Sequence, residues 1–146
     1  MAIPLGAAER TDPETAPRAA ASAASGTQQA LQQGLLDVRW RVKELLGSPL
    51  GAAAGGARAP HLVLDAAHLR LSGSGGCNRL MGNFALEGQR IQFKRVLTTM
   101  MSCPQGMAQE RSLIEVLGQV QRWHIEDRVL MLMNWQQQVL VKLQRD

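Results

Sequence analysis

The sequence predicts an α+β fold, in which a curled, barrel-like antiparallel sheet of about eight strands is interrupted by one helix. Short segments with a hydrophobic period of two begin at residue 36 and resume after residue 121, as in an antiparallel meander. Between them, one segment carries apolar residues at helical spacing. The helix is therefore predicted between the fifth and sixth strands.

Residues 1–34 differ in composition from the rest of the chain. They are rich in Ala, Pro, Ser and Gln and contain no aromatic residue. So few large apolar side chains cannot offset the entropy lost on ordering. We therefore expect a disordered tail or linker, followed by one domain over residues 35–146.

The predicted strands are short and alternate between apolar and polar residues. In "DVRWRVKELL", Val38, Trp40 and Val42 share one face, and the loop "GSPLGAAAGGARAP" follows. Four more strands are predicted before the helix, in "HLVLD", "HLRLSG", "RLMGNFAL" and "QRIQFKRV". Their inward residues would be Leu62, Leu64, Leu69, Leu71, Leu80, Gly82, Phe84, Leu86, Ile91 and Phe93. "RWHIED", "RVLMLMN" and "QQVLVKLQ" supply the last three strands.

The helix is predicted over about residues 105–121, in "PQGMAQERSLIEVLGQVQRW". Its face of Leu113, Ile114 and Leu117 is expected to pack onto the sheet. Glu110 lies early in the helix, where the macrodipole favours an acidic residue.

The segment "SGSGGCNRLMGNF", residues 72–84, admits a chemical and an architectural interpretation. Its glycines could expose backbone amides to a phosphate, but such a cradle needs a following helix and a Lys-Ser/Thr ending. A strand-like segment follows instead, which predicts a tight corner with positive φ angles. Asn78 would then satisfy backbone groups at the corner.

Cys77 could serve as a nucleophile only with a histidine partner and an oxyanion hole. His61 and His68 flank strands, and His124 alternates with apolar neighbours that would face the core. No CxxC or HxxxH spacing indicates a metal site. We therefore predict no enzyme activity, no catalytic residue, no metal and no cofactor.

The methionines allow two interpretations. Thioethers favour Cu(I), so Met100, Met101, Met107, Met131 and Met133 could form a copper site. Their placement in strands and on the helix favours packing in the core.

Trp135 lies in "NWQQQ", between the last two predicted strands. A tryptophan at a hairpin tip can contact a partner, or it can fold back over the mouth of the sheet. Both interpretations stay open at this point.

The formal net charge is +4, but Lys and Arg are scattered, and aromatic residues make up only 3% of the chain. Nucleic-acid binding is not expected, because it calls for basic patches and aromatic stacking platforms. No apolar run reaches the length of a membrane span. The start of the sequence lacks the pattern of a signal peptide, which leaves a cytoplasmic location open beside an exported one.

The ordered motifs over residues 36–146 resemble a META domain of the HslJ type. That family combines Gly-Cys-Asn, a later Gly and aromatic residue, a Thr-x-Met-x-Cys segment, and a helix that opens with Glu. The matching residues are Gly76, Cys77, Asn78, Gly82, Phe84, Thr99, Met101, Cys103, Glu110, Leu113 and Leu117. Met100 and Ser102 depart from the family, which often has Arg and Ala there.

The resemblance implies a bacterial envelope protein, periplasmic or associated with the outer membrane, with a lipid anchor on a longer precursor. The family is linked to heat shock and novobiocin tolerance. We therefore expect a monomeric, non-enzymatic envelope-stress protein that binds another envelope component. The alternatives are a small barrel that binds an apolar ligand or peptide, and an accessory protein of secretion or assembly.

The resemblance also places Cys77 and Cys103 at adjoining ends of the fold. A disulfide between them is expected in an oxidising compartment. The alternative is two buried thiols that pack as small hydrophobic groups.

Overall fold

The computed structural model describes residues 34–50, 59–101, 103 and 106–146. The elements in chain order are β1 (Arg39–Leu45), β2 (Ser48–Pro49), β3 (His61–Asp65), β4 (Arg70–Ser74), β5 (Arg79–Glu87), β6 (Arg90–Thr98), α1 (Met107–Leu117), β7 (Arg122–Glu126), β8 (Val129–Met133) and β9 (Val139–Arg145). The tail predicted over residues 1–34 lies, except for Gly34, outside the described residues.

The strands form one antiparallel, ring-like sheet. Neighbours follow chain order from β3 to β9, and β1 pairs with both β3 and β9, so that the sheet returns on itself. The predicted antiparallel, curled sheet with one inserted helix is confirmed. The two-residue β2 lies in a segment predicted as loop, because a ladder so short leaves no periodicity in the sequence. The helix consequently falls between the sixth and seventh of nine strands, rather than between the fifth and sixth.

The interior of the ring is filled by large apolar side chains. The largest fully buried ones are Trp40, Trp123, Leu35, Leu62, Leu64, Leu71, Leu80, Ile91, Leu113, Leu117, Leu130 and Leu132. The indole N–H of Trp40 donates to the carbonyl of Leu35 at 2.9 Å, and that of Trp123 donates to Gly88 at 3.0 Å. Both tryptophans are therefore buried without an unpaired polar group.

Helix α1 contributes to the same core as the strands. Leu113 and Leu117 are buried as predicted, but Val116 completes the buried face and Ile114 is only partly buried. The helix ends at Leu117, four residues before the predicted end, because the N–H groups of Gln119 and Val120 donate to carbonyls only three residues back. No helix in the part of the chain that the structure describes has the length and hydropathy of a membrane span.

Several apolar residues predicted inside lie at the surface. Leu69 is in the turn before β4, with a φ of 52°, and is exposed. Leu130 and Leu132 take the inward positions of β8, which leaves Met131 and Met133 only partly buried on the other face. Met100 and Met101 are exposed too. Core packing was therefore the wrong interpretation for these methionines.

A β-bulge separates the two halves of β6. Met81 faces Leu97 and Asn83 faces Lys94, so that Arg95 and Val96 together oppose Gly82. Arg95 has a φ of 54°, in the left-handed region. A Cβ on Gly82 would lie 3.2 Å from the carbonyl oxygen of Lys94 and from the Cα of Val96. Glycine therefore leaves the space in which β6 can bulge.

Candidate functional site

The corner between β4 and β5, residues 75–78, is buried. Gly76 has a φ of 115°, which is the positive angle predicted for this segment. Gly75 packs directly against the side chain of Glu110 in α1, and a Cβ there would overlap the Glu110 side chain. The glycines thus let the backbone approach the helix closely.

The anion held by this glycine-rich corner is the chain's own Glu110 carboxylate. Its Oε1 accepts hydrogen bonds from the backbone N–H groups of Cys77 at 3.2 Å and Asn78 at 2.5 Å. Its Oε2 accepts a third, from Nδ2 of Asn78, at 2.8 Å. Glu110 is only 5% exposed. These bonds replace the hydrogen bonds to water that its carboxylate loses on burial.

Asn78 extends the network to the chain after β6. Its Oδ1 accepts from the backbone N–H of Met101 at 2.6 Å and from the hydroxyl of Thr99 at 2.9 Å. Its Nδ2 also contacts the carbonyl of Met101 at 3.3 Å. The predicted role of Asn78 at the corner is therefore correct, and it joins the corner, the segment after β6 and α1.

Cys77 and Cys103 form a disulfide, with their Cα atoms 6.0 Å apart. This confirms the predicted bond and rules out two buried thiols in this state. It also ties up the sulfur that a nucleophilic mechanism would need.

The structure brings together most of the motif residues that the sequence singled out, namely Gly76, Cys77, Asn78, Thr99, Met101, Cys103 and Glu110. Gly82 and Phe84 lie apart from them, one at the bulge and the other in the core. The sequence analysis missed the contact of Glu110 with the corner. A signal was present, since Glu110 lies on the same helical stripe as Leu113 and Leu117, where an acidic residue must find buried partners.

The histidines do not join this network. His61 contacts the carbonyl of Ala59, His68 pairs with Asp65, and His124 lies 3.8 Å from Glu126. Among the described residues, no three His, Cys, Asp or Glu side chains gather as a metal site requires.

A shallow groove crosses the outer face of β4, β5 and β6, with a volume of about 460 Å³. We call it the β4–β6 groove; its lining includes Arg70, Met81, Asn83, Arg95 and Leu97. Met81 is 50% exposed and Leu97 64% exposed. Large apolar side chains thus line a groove on the outer face of the sheet, whose interior is already filled by other side chains.

Trp135 lies between β8 and β9, away from the corner, and is 59% exposed. Its ring stacks with the guanidinium group of Arg90, whose Cζ is 4.8 Å from the ring centroid. Its role as a partner contact remains a prediction.

A ring of antiparallel strands, filled by its own side chains and pinned at one corner by a disulfide and a buried carboxylate, defines a small β-rich module. The chain belongs to the META domain family, whose sequence model matches residues 30–146. The membership inferred from the Gly-Cys-Asn corner and the helix that follows is therefore confirmed.

Solved structures share the fold at low sequence identity. An NMR structure of a protein from Burkholderia xenovorans is 23% identical with a TM-score of 0.63, covering 84% of this chain and 87% of that one. A second NMR structure is 21% identical with a TM-score of 0.59, covering 77% of this chain and 92% of the other. A crystal structure of a DUF4847 family protein from Bacteroides vulgatus is 14% identical with a TM-score of 0.54, covering 80% and 97%. No curated protein matches the sequence.

Proposed function

We propose that this protein is a non-enzymatic envelope-stress protein of the META type, which acts by binding another envelope component with its outer surface. The observation that carries the proposal is the contrast between a filled interior and large apolar side chains outside, such as Met81, Leu97 and Trp135. Met81 and Leu97 are cross-strand neighbours, and exposed apolar groups that lie side by side are a common feature of protein interfaces.

The filled interior disfavours the alternative of a barrel that holds an apolar ligand. Trp40 and Trp123 are each 1% exposed and occupy the ring together with leucines from strands and helix. A sheet ring of about eight strands can be filled by side chains or hold one small ligand, and here buried side chains occupy the interior.

Two groups of the corner that could perform chemistry are engaged in structure. Cys77 is oxidised with Cys103, and the Glu110 carboxylate accepts hydrogen bonds from three N–H donors. These contacts support a structural role for the motif and a function without catalysis.

The disulfide also supports the proposed compartment. Such bonds persist in the periplasm and at cell surfaces and are rare in a reducing cytoplasm. The bond between Cys77 and Cys103 therefore favours an envelope location.

The proposal can be tested by photo-crosslinking in the native host. A photo-reactive amino acid would replace Leu97 or Trp135, and Lys142 on the outer face of β9 would serve as the control position. We expect a discrete crosslinked protein in the envelope fraction from at least one apolar position and none from Lys142. A chain recovered in the cytoplasm with reduced cysteines, or one without crosslinks at either apolar position, would contradict the proposal.

A further inference from the structure

The β4–β6 groove carries a pattern that the strand alternation alone does not produce. Ile91 and Phe93 face the core, so uninterrupted alternation would also bury Arg95 and Leu97. The bulge opposite Gly82 reverses the alternation, so that Val96 packs against the core while Arg95 and Leu97 face solvent. The bulge thus removes a charge from the core and places a leucine outside.

The register arranges the groove in two parallel rows. Met81 lies directly between Ser72 and Leu97, which gives one row an apolar centre. In the adjacent row, Asn83 lies between Arg70 and Lys94. The two rows lie two residues, or about 7 Å, apart along β4 and β5, which matches residues i and i+2 of an extended ligand. One row can therefore contact an apolar side chain while the other contacts a carboxylate beside it.

The charge of the groove is entirely basic. None of the residues that line it is acidic, and within the described residues neither Arg70 nor Arg95 takes part in a salt bridge. Guanidinium groups bind carboxylates with paired, directional hydrogen bonds. Two such groups beside an apolar pair are complementary to a ligand that is both acidic and apolar.

We propose that the β4–β6 groove binds an extended acidic segment of a partner protein, with an apolar side chain on Met81 and Leu97 and flanking carboxylates on Arg70 and Arg95. This inference rests on the proposed function and names the chemistry of the partner. A partner protein fits better than a small amphipathic anion, because small-molecule sites bury most of their ligand and this groove is open. It fits better than nucleic acid, because the groove offers no aromatic side chain for base stacking.

The test is an NMR titration of the oxidised, ¹⁵N-labelled full chain with two blocked peptides. The first is acetyl-Glu-Ser-Leu-Ser-Glu-amide, whose Leu and two Glu side chains share one face of an extended chain, and the second replaces each Glu with Lys. We expect the acidic peptide to shift amide signals at residues 70–72, 81–83 and 94–97, and the basic peptide to leave them in place. Shifts elsewhere only, or equal shifts with both peptides, would overturn the proposal.

Variants separate the charged from the apolar contribution. Arg70→Ser combined with Arg95→Ser should weaken binding of the acidic peptide at least tenfold, and Leu97→Ser should weaken it at least threefold. The matched control, Arg41→Ser with Lys43→Ser on the outer face of β1, removes the same charge and should change affinity less than twofold. Equal weakening by the control would reduce the effect to net charge and overturn the site.

Two further probes test the other occupants. Sodium laurate or phosphatidylglycerol vesicles that bind the groove as tightly as the acidic peptide would assign it to lipids and overturn the proposal.

Crosslinking in the cell distinguishes the failure of this proposal from the failure of the proposed function. Crosslinks from Trp135 without peptide binding would refute only the groove as the binding site. Peptide binding at the groove without any cellular partner would refute only the proposed function.

Discussion

The corner at residues 75–78 precedes β5, and the bulge in β6 lies opposite Gly82 of β5. Both depend on glycine, but they orient their neighbours in opposite ways. At the corner, polar groups turn inward, and the Glu110 carboxylate is buried with its partners. At the bulge, Leu97 and Arg95 turn outward and are exposed. The corner therefore stabilises the fold, while the bulge places a charged and an apolar side chain at the surface.

The corner also shows why a glycine-rich segment need not bind a ligand. Exposed backbone amides attract anions, and here the backbone N–H groups of Cys77 and Asn78 donate to a carboxylate supplied from α1. The same local chemistry that forms a phosphate cradle elsewhere serves here to dock a helix on a sheet.

The largest expected effect compares two leucines of the interior and the groove. Leu117→Ala should lower the free energy of unfolding by about 2 to 5 kcal/mol, because Leu117 is fully buried and its loss leaves a cavity. Leu97→Ala should change it by less than about 0.5 kcal/mol, because Leu97 is mostly exposed. Urea unfolding monitored by tryptophan fluorescence measures both. Similar losses for the two variants would mean that Leu97 belongs to the core.

Removal of the disulfide should weaken the corner by a comparable amount. Cys77→Ala with Cys103→Ala removes a disulfide whose cysteines lie 26 residues apart in sequence. The chain-entropy model gives a stabilisation of about 3 to 4 kcal/mol for closing such a loop. Urea unfolding of the double variant and of the oxidised wild type gives the difference. The reduced wild type serves as a second reference, and a loss below about 1 kcal/mol would show that the hydrogen bonds of Glu110 suffice to hold the corner.

An isosteric change at Glu110 tests the hydrogen-bond network itself. In Glu110→Gln, one acceptor becomes a donor, and it would face either Nδ2 of Asn78 or the corner amides. We expect a loss of about 1 to 3 kcal/mol, the typical cost of a buried polar group without a partner. Glu115→Gln, an exposed site on the same helix, is the matched control and should be nearly neutral.

Asn78→Asp provides a pH-dependent version of the same test. The new carboxylate would lie against that of Glu110, and two like charges in contact repel. Protonation relieves the repulsion, so the variant should lose more stability at pH 7 than at pH 4. An equal loss at both pH values would show that water or a structural shift separates the two groups.

The sequence was sufficient for the parts of the fold that follow from local periodicity. The alternation around Trp40 and the helical stripe of Leu113 and Leu117 placed strands and helix correctly, because each reports which side of one element is buried. The Gly-Cys-Asn motif likewise located the corner, and the family resemblance paired its two cysteines.

What the sequence could not supply depends on contacts between distant segments. The bulge opposite Gly82 has only a weak local signal, since the adjacent charged residues Lys94 and Arg95 break the alternation of "QRIQFKRV" without showing how β6 pairs with β5. The partner of Glu110 lies 32 residues away at Asn78, so only the folded chain shows what a buried acidic residue accepts. Met131 and Met133 were misplaced because both faces of β8 are apolar, and period two then cannot tell inside from outside.

The smallest expected effect sharpens the comparison between a buried and an exposed carboxylate. Asp65, in the turn after β3, accepts hydrogen bonds from the ring of His68 at 3.0 Å and from its backbone N–H at 2.9 Å. These bonds, the side-chain bond first, hold the pKa of Asp65 below its usual value.

Because that pKa is lower in the folded than in the unfolded chain, the stabilisation is fully present above about pH 4, the usual pKa of a free Asp. It is lost as the pH falls through the folded-state pKa. Asp65→Asn should therefore reduce stability slightly at pH 7 and flatten the decline of stability below pH 4. His68→Ala, which keeps the backbone donor, should flatten it less. Urea unfolding at pH 7, 5, 4 and 3 measures these slopes, and three identical curves would show that the turn contributes nothing to the acid sensitivity of the fold.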